Sequence, residues 1–211
     1  MATREKGPGV LRPRPQRADA RRNYEKLISA AREAFAEDGT AASLEDIARR
    51  AGVGIGTLYR HFPTRQDVFE SVYVDEVEAL CRTASELPTD LSPWDALVAW
   101  LHRFVLYAAT KRALAEALNR DSQVFLSCRG EIYAAGEPLL RRAQDAGEAR
   151  PDTSFDDVVR LISGITMIHF AEPDQIERVL GVALDGLRYQ PPSPGPDTVK
   201  PATSETRRSR R

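Results

Sequence analysis

Apolar side chains recur at helical spacing along the central part of the chain, and glycine or proline residues separate one run from the next. Leu27, Ala31 and Ala34, for example, fall on one side of a helix that ends before Gly39, since residues three and four apart share a helix face. The pattern predicts an all-α protein without strands. The nine predicted helices span residues 18–38, 43–51, 54–62, 64–87, 93–119, 121–128, 130–147, 154–170 and 174–188.

The two ends of the chain have a different composition. Residues 1–17 and 190–211 are rich in proline, and most of their charged residues are basic. Segments of this kind lack the apolar side chains needed to offset the entropy cost of folding. We therefore expect both ends to be disordered, with the folded part confined to residues 18–189.

The stretch from residue 47 to residue 69, IARRAGVGIGTLYRHFPTRQDVF, predicts two short helices joined by a glycine turn. Gly52 is suited to end the first helix because glycine adopts the left-handed backbone conformation at little cost. In the second helix, Leu58 and Phe62 stand four residues apart and point inward together. The polar side chains that remain outside are those of Thr57, Arg60 and His61. A compact helix with a polar, basic outer face is typical of a DNA-binding unit.

Two hydroxyl residues mark the starts of further helices. Ser43 precedes Asp46 by three residues, and Thr64 precedes Asp67 by the same interval. This spacing predicts a capping box, in which the hydroxyl accepts a hydrogen bond from a backbone amide in the first turn. Helix boundaries are therefore expected at residues 43 and 64.

Together these motifs resemble the helix-turn-helix of the tetracycline-repressor (TetR) family of bacterial transcriptional regulators. AGV, GTLYRHF and Pro-Thr-Arg follow one another at the family's spacing, after a helix ending in AFAEDG and another beginning with SLEDIA. The resemblance covers about residues 20–70. Two positions depart from the commonest pattern, since Gly54 stands where a capping serine is frequent and Ile55 where a polar residue is frequent.

The resemblance implies an organisation in two domains. Residues 18–64 would form the helix-turn-helix DNA-binding domain, and residues 65–189 a larger helical domain that binds a small effector and forms a homodimer. Such a protein is expected in the cytoplasm, where it binds a palindromic double-stranded DNA operator and releases it with the effector. We therefore interpret the chain as a transcriptional repressor that needs no cofactor.

The recognition helix predicts which residues meet the bases. In a helix-turn-helix the N-terminal part of the second helix enters the major groove, which places Ile55, Gly56 and Thr57 deepest. Ile55 has no hydrogen-bonding group in its side chain, so its expected partner is a thymine methyl group. Arg60, about one turn further along, is the expected guanine contact, because arginine donates two hydrogen bonds to that base.

Phosphate contacts are expected around the same surface. The resemblance assigns Tyr59, His61 and Arg65 to the DNA backbone. Ser43 is a further candidate, because a hydroxyl and the free amides of a helix N-terminus both suit a phosphate. Capping alone would also explain that serine. Contacts of this kind position the protein on DNA but do not select a sequence.

Charge is distributed unevenly, although the whole chain carries a formal net charge of −1. Residues 1–64 contain 12 Lys and Arg against 8 Asp and Glu, whereas residues 65–188 contain 13 against 21. A basic end on an acidic body would turn that end toward the phosphates of DNA. The alternative is ordinary surface charge that happens to be segregated.

The central helices carry more aromatic side chains than one core stripe requires. Aromatic residues at helical spacing usually belong to a core, yet a helical domain of this size can also enclose an apolar cavity with a few polar groups. The candidate ligand-binding residues are Trp100, Phe104, Tyr107, Phe125, Tyr133, Met167 and His169. The sequence leaves both explanations open.

The last two predicted helices are apolar over a wide face and contain Gly164 and Gly181, where backbones can approach closely. Two such helices from each of two copies would form a four-helix bundle about a two-fold axis. The residues expected at this interface are Leu161, Ile165, Ile168, Val179, Leu180 and Leu184. The same helices could instead complete the core of one monomer, and the resemblance to the TetR family favours the dimer.

Two other classes of function compete with this interpretation. A helical enzyme, or a protein with a Cys/His ligand pocket, would use Cys81 or Cys128 together with His102 or His169. No nucleophile elbow, phosphate loop or HExxH motif supports it. A helical adaptor that binds only protein would leave GTLYRHF unexplained. The cysteine spacing indicates neither a zinc site nor a disulfide framework, and no segment approaches the ~18 consecutive apolar residues of a membrane span.

Overall fold

The computed structural model describes residues 14–113, 123–168, 170, 172 and 174–189. In this part of the chain eight α-helices follow one another, with a 3₁₀ turn, Gly39–Ala41, after the first. The helices are α1 (Ala18–Asp38), α2 (Leu44–Arg50), α3 (Ile55–His61), α4 (Arg65–Glu86), α5 (Pro93–Ala113), α6 (Gln123–Asp145), α7 (Phe155–Thr166) and α8 (Gln175–Leu187). The all-α prediction is confirmed, with eight helices instead of nine. None of these helices combines the length and the apolar character needed to cross a bilayer.

The first three helices share a small apolar core. Leu27 of α1, Ile47 of α2 and Leu58 of α3 are fully buried. Between α2 and α3, Gly52 has a φ angle of +68°, in the left-handed region that glycine adopts without a steric penalty. The glycine turn predicted from the sequence is therefore present, and it brings α3 back against α2.

Helix α4 connects this unit to the rest of the protein, because it packs against α1 and also against α5 and α6. Its N-terminus is fixed by a capping box. The Thr64 hydroxyl accepts from the Asp67 amide at 3.2 Å, and the Asp67 carboxylate accepts from the Thr64 amide at 2.8 Å. Phe69, in the next turn, packs against Phe35 of α1 with ring centroids 4.6 Å apart. The helix start predicted at Thr64 is confirmed.

Helix α6 runs without a break from Gln123 to Asp145, whereas the sequence pattern predicts two helices separated at residue 129. That prediction is wrong. Gly130 costs a helix only about 1 kcal/mol relative to alanine, and buried side chains on both sides of it continue one stripe along the helix. The stripe consists of Val124, Cys128, Ile132, Leu139 and Ala143.

Helix α7 ends at Thr166 instead of the predicted residue 170. The chain tightens there, since the Met167 amide lies 3.2 Å from the Gly164 carbonyl and the Ile168 amide 3.3 Å from the Ile165 carbonyl. Bonds to the carbonyl three residues back belong to 3₁₀ geometry, which commonly closes a helix. Other described helix ends lie within one or two residues of their predicted positions. The predicted end of the fifth helix, the start of the sixth, and residues 1–13 and 190–211 lie outside the described part.

Candidate DNA-binding surface and ligand cavity

One face of α3 is exposed to solvent, and it carries the residues predicted to meet the bases. Ile55 is apolar and yet 38% exposed, and Gly56 and Arg60 are exposed beside it. Thr57 is half-buried. Leu58, on the opposite face, is fully buried. Helix α3 therefore packs against the protein through one face and exposes the other face to solvent.

Tyr59 and His61 lie on α3 in different surroundings. Tyr59 is exposed. His61 is half-buried and packs edge-on against Tyr24 of α1, with ring centroids 6.1 Å apart. Burial is the main cause that lowers the pKa of His61, and the positive charge of Arg60 lowers it further. The His61 imidazole is therefore uncharged near neutral pH.

The lowered pKa of His61 leads to a pH prediction. The folded protein binds a proton at His61 less readily than the unfolded chain does, in which histidine has a pKa of about 6.5. This contribution to stability is complete above the unfolded pKa and is lost as the pH falls through the lower folded pKa. We expect the free energy of unfolding to fall between about pH 7.5 and about pH 5, and His61→Gln to remove part of that fall. Urea unfolding of both proteins at the two pH values measures the free energy of unfolding. An unchanged pH dependence in His61→Gln would contradict the assignment of the effect to His61.

Arg65, the first residue of α4, directs its guanidinium group at the loop before α2. Its Nη2 donates to the carbonyl oxygens of Thr40 at 2.6 Å and Ala42 at 2.5 Å. Its Cζ also lies 5.2 Å from the centre of the Phe69 ring. Hydrogen bonds from a charged donor are roughly twice as strong as neutral ones. Arg65 therefore anchors the residues leading into α2 to the start of α4.

Arg65→Ala is expected to lower the free energy of unfolding by about 1–3 kcal/mol, because two carbonyl oxygens lose a charged donor. The DNA binding that the resemblance implies should also weaken, whatever the sequence of the duplex, since the loop before α2 is no longer held. Arg65→Lys keeps the charge without the planar group over Phe69, so it should recover only part of the stability. Urea unfolding and fluorescence anisotropy with labelled duplexes measure the two effects. Unchanged stability in Arg65→Ala would leave this residue with a phosphate contact as its only role.

Ser43 caps α2, but only the hydroxyl half of the predicted capping box is present, and the Asp46 carboxylate pairs with Arg50 instead. Its Oγ accepts from the Asp46 amide at 3.2 Å and donates to Oε2 of Glu45 at 3.0 Å. A hydroxyl has one hydrogen to donate, and here the Glu45 carboxylate takes it. A phosphate contact at Ser43 would therefore have to displace Glu45.

Several basic residues of the first helices are paired with carboxylates. Arg50 of α2 lies 2.7 Å from Glu37 and 2.5 Å from Asp46, and Arg32 of α1 lies 2.7 Å from Asp75 of α4. These acids compensate part of the positive charge close to where it arises. The count for residues 1–64 already includes Glu37 and Asp46, so of these acids only Asp75, from α4, offsets its excess of positive charge further.

A cavity of about 240 Å³ lies between α4, α5, α6 and α7. Part of its wall is aromatic, since Tyr73 and Phe125 stack nearly in parallel with ring centroids 5.5 Å apart. The hydroxyl groups of Tyr73 and Tyr107 lie 3.1 Å apart. Burial raises the pKa of Tyr73 to about 12 and also raises the pKa of Tyr107. Both side chains are therefore neutral phenols.

Polar side chains form another part of the wall and converge on Asp156 of α7. The Tyr133 hydroxyl donates to its Oδ1 at 2.5 Å, and Nε of Arg160 donates to its Oδ2 at 2.5 Å. Nη2 of Arg129 lies 3.3 Å from Oδ1. The hydrogen bond from Tyr133, followed by that from Arg160, lowers the pKa of Asp156. Nζ of Lys111 stands nearby, 4.9 Å from the centre of the Phe125 ring that forms part of the same wall.

Four of the predicted ligand-binding residues line this cavity, namely Phe104, Tyr107, Phe125 and Tyr133. Trp100 instead belongs to the core, where it is fully buried and donates its indole N–H to the carbonyl of Leu80 at 3.2 Å. Met167 is exposed beyond the end of α7, and His169 lies outside the described residues. The cavity therefore includes only part of the predicted set.

The sequence analysis did not select the polar residues of the cavity wall. They are Lys111, Arg129, Asp156, Arg160 and Ser163. The available indication was spacing, because Arg129 with Tyr133 and Asp156 with Arg160 stand four residues apart and share helix faces. Such pairs are common on exposed helices, so spacing alone does not identify a cavity.

The cysteines are not activated for chemistry. Burial raises the pKa of Cys128 to about 12 and that of Cys81 to about 11, whereas the nucleophilic form of cysteine is the thiolate. His102 is exposed on α5, with Nδ1 3.9 Å from a Glu177 carboxylate oxygen. Within the described residues, no group of His, Cys, Asp and Glu side chains is arranged to hold a metal ion.

The residues predicted at the dimer interface fall into two groups. Those buried within the protomer are Ile165, Leu180 and Leu184, with Val179 half-buried. Those exposed are Leu161 and Ile168, and Val182, which the sequence analysis did not select, is 73% exposed. The first group contributes to the protomer's own core. The second group leaves apolar side chains exposed on α7, on α8 and just after the end of α7.

Both halves of the chain match known protein families. Residues 27–72 match the family described as bacterial regulatory proteins, tetR family. Residues 92–189 match the C-terminal domain of SbtR-like transcriptional regulators. The first match covers the helix-turn-helix with the start of α4, and the second covers α5 to α8.

Similar proteins extend the match over most of the chain. A TetR transcriptional regulator from Streptomyces coelicolor is 40% identical, with 79% of this chain and 99% of that protein covered and a TM-score of 0.69. A TetR transcription regulatory protein from Mycobacterium vanbaalenii is 34% identical over 82% of this chain and 99% of its own, with a TM-score of 0.66. The HTH-type transcriptional regulator UidR of Escherichia coli is 27% identical over 150 residues, which is 67% of this chain and 76% of UidR. The chain therefore belongs to the TetR family of helix-turn-helix DNA-binding transcriptional regulators, which are not enzymes.

Proposed function

We propose that the protein is a repressor that binds a palindromic operator as a homodimer and releases it when a small molecule occupies the cavity beside α4. The position of α4 carries this proposal. Tyr73 of α4 forms part of the cavity wall, and the same helix packs against α1, the helix that carries Tyr24. Tyr24 in turn packs against His61 and Phe62 at the end of α3. A ligand in contact with Tyr73 therefore acts on the helix that supports α3.

Release of DNA requires that the ligand bind one conformation more tightly than the other, since equal affinity shifts nothing. Two recognition helices of a dimer meet successive major grooves about 34–36 Å apart. A small displacement of α4 in each protomer changes that separation. The ratio of the ligand's affinities for the two conformations sets how completely the operator is released.

On the DNA side, Ile55, Gly56 and Thr57 enter the major groove and Arg60 donates to a guanine. Tyr59 contacts a phosphate at the edge of the groove. The flanking backbone contacts are His61, Arg65 and Ser43. This assignment is supported by the exposure of one face of α3 and the burial of the other. The support is stronger for Tyr59 than for Arg65 and Ser43, whose polar groups already have partners within the protein.

The homodimer forms through α7, the residues just after it and α8, where Leu161, Ile168 and Val182 are exposed. Gly164 and Gly181 lie in the same two helices, and a methyl group added at either would meet nothing within 4 Å. Space is therefore available for a second copy to approach closely. Burial of apolar surface at roughly 25 cal/mol per Å² would stabilise the pair.

Arg60→Ala tests the proposed DNA contact. The variant should lose about 1–3 kcal/mol of binding free energy at the operator and relax the preference at one base pair per half-site. Random DNA should be affected less, because it offers no specific guanine at that position. An operator is first selected from random duplexes, and anisotropy titration then measures the affinities for operator and random DNA. Arg141→Ala, at an exposed arginine of α6, is the matched control. Equal losses on operator and random DNA would make Arg60 a phosphate contact.

A further inference from the structure

The wall of the cavity carries more positive than negative charge. Its cationic side chains are those of Lys111, Arg129 and Arg160, and its one carboxylate among the described lining residues is that of Asp156. The described lining residues therefore sum to a formal charge of +2. Asp156 already accepts hydrogen bonds from Tyr133 and from both arginines, so both of its carboxylate oxygens have partners.

The two arginines retain hydrogen-bonding capacity beyond Asp156. A guanidinium group has five N–H donors. Arg160 uses its Nε for Asp156, and Arg129 uses its Nη2 for both Tyr133 and Asp156. A second carboxylate is the group best suited to further donors of this kind, because it accepts two parallel bonds from one guanidinium.

The rest of the wall suits a flat apolar body. The Tyr73 and Phe125 rings are stacked within 9° of parallel, and Phe104, Ile132 and Val159 add apolar surface beside them. The volume of about 240 Å³ is below the roughly 300–1,000 Å³ of sites for drug-sized ligands. The cavity therefore has room for a molecule of one or two rings.

We propose that this cavity binds a small aromatic carboxylate, with the ring system against Tyr73 and Phe125 and the carboxylate at Arg160, Arg129 and Lys111. The inference rests on the effector-controlled repression proposed above and adds the chemical class of the effector. A cationic ligand would be repelled by the excess positive charge. A neutral ligand would gain no ionic hydrogen bond from these donors.

The class of ligand is tested with three probes that share one bicyclic ring and differ in charge: naphthylacetate, naphthylethanol and naphthylethylamine. Calorimetric titration of the full-length protein measures each affinity at about 0.05 M and about 0.3 M salt. Naphthylacetate should bind at least about tenfold more tightly than the other two at low salt, and its advantage should shrink at high salt. Equal or tighter binding of the alcohol or the amine would overturn the inference. So would the absence of binding by naphthylacetate up to millimolar concentration.

Two substitutions locate the carboxylate. Arg160→Gln and Lys111→Gln should each lower the affinity for naphthylacetate by roughly tenfold, because each removes a charged donor. The affinity for naphthylethanol should change by less than about twofold. Arg178→Gln is the matched control, since Arg178 is also an exposed arginine paired with one acid but lies on α8 outside the cavity wall. Unchanged naphthylacetate affinity in both cavity variants would place the anion elsewhere and overturn the proposal.

Operator release separates this inference from the proposed function. The same probes are added to the protein bound to its selected operator. Naphthylacetate that binds with the expected preference but leaves the operator bound supports the ligand class and contradicts effector-controlled repression by this class. Naphthylethanol that binds more tightly and releases the operator contradicts the ligand class and supports the repression mechanism.

Discussion

Replacing Gly136 with alanine is expected to lower the free energy of unfolding by about 3 kcal/mol, at the upper end of the usual cost of overpacking a core. Gly136 is a buried residue of α6. A methyl group at this position would lie 2.3 Å from Cζ of Phe155 and 2.6 Å from Cη2 of Trp100. Both distances are far inside van der Waals contact, so at least one ring has to move.

Neither ring can move without disturbing another contact. Trp100 is fully buried and donates its indole N–H to Leu80. Phe155 is the first residue of α7, where the Ser154 capping box fixes the chain. Its ring meets the Tyr133 ring edge-on at a centroid distance of 5.3 Å. A displaced Phe155 would therefore also disturb the cavity wall, and urea unfolding measures the total loss.

Gly130→Ala is the matched control, because Gly130 lies in the same helix and a methyl group there meets nothing within 4 Å. Alanine is favoured over glycine inside a helix by roughly 0.5–1 kcal/mol, so this variant should be more stable than the parent protein. The two substitutions are chemically identical and should act in opposite directions. Similar changes in the free energy of unfolding for Gly136→Ala and Gly130→Ala would contradict the explanation by overpacking at Gly136.

The two glycines also illustrate a limit of prediction from the sequence. The pattern predicts a break at residue 129, next to Gly130, yet the buried stripe through Cys128 and Ile132 keeps α6 continuous. Gly136 has no distinctive sequence context. Its requirement for a residue without Cβ depends on Trp100 and Phe155, which other helices bring to it. Local patterns carry no information about such a contact.

The DNA-binding unit could be predicted in greater detail because its determinants are local. The buried position of Leu58 and the cap at Thr64 depend on neighbours three or four residues away, and the exposed face of α3 follows from the same spacing. The anchoring role of Arg65 is different. Its partners, Thr40 and Ala42, are 25 and 23 positions away in the sequence, so only the folded structure brings them together.

The cavity falls between these two cases. Its aromatic wall could be predicted in part, since Phe104 and Tyr107 stand out on a predicted helix. Its polar wall could not, because Tyr133 of α6 and Asp156 of α7 become a hydrogen-bonded pair only when the two helices meet. The polar groups that would select a ligand could therefore be identified only from the tertiary structure.

Val182→Glu is expected to convert the proposed homodimer into monomers. In the protomer Val182 is 73% exposed, so the substitution leaves the monomer's fold intact and acts only where a second copy covers it. A symmetric interface contains each substitution twice. Unpaired buried carboxylates cost several kcal/mol each, so the dimer dissociation constant should rise by at least about 10²-fold. Leu180→Glu would not separate loss of the dimer from unfolding of the monomer, because Leu180 is only 1% exposed within the protomer.

Leu161→Glu tests the same face from α7, and Leu106→Glu is the matched control, since Leu106 is 57% exposed on α5. Sedimentation equilibrium should give monomers for Val182→Glu and Leu161→Glu, and dimers for the control. Operator affinity should fall by about 10²-fold or more in the monomeric variants, because two linked half-site contacts become independent. Binding to a single half-site should be unchanged, since α3 and its support by α4 are not altered. A dimer that persists in both variants would show that the interface lies on another face of the protein.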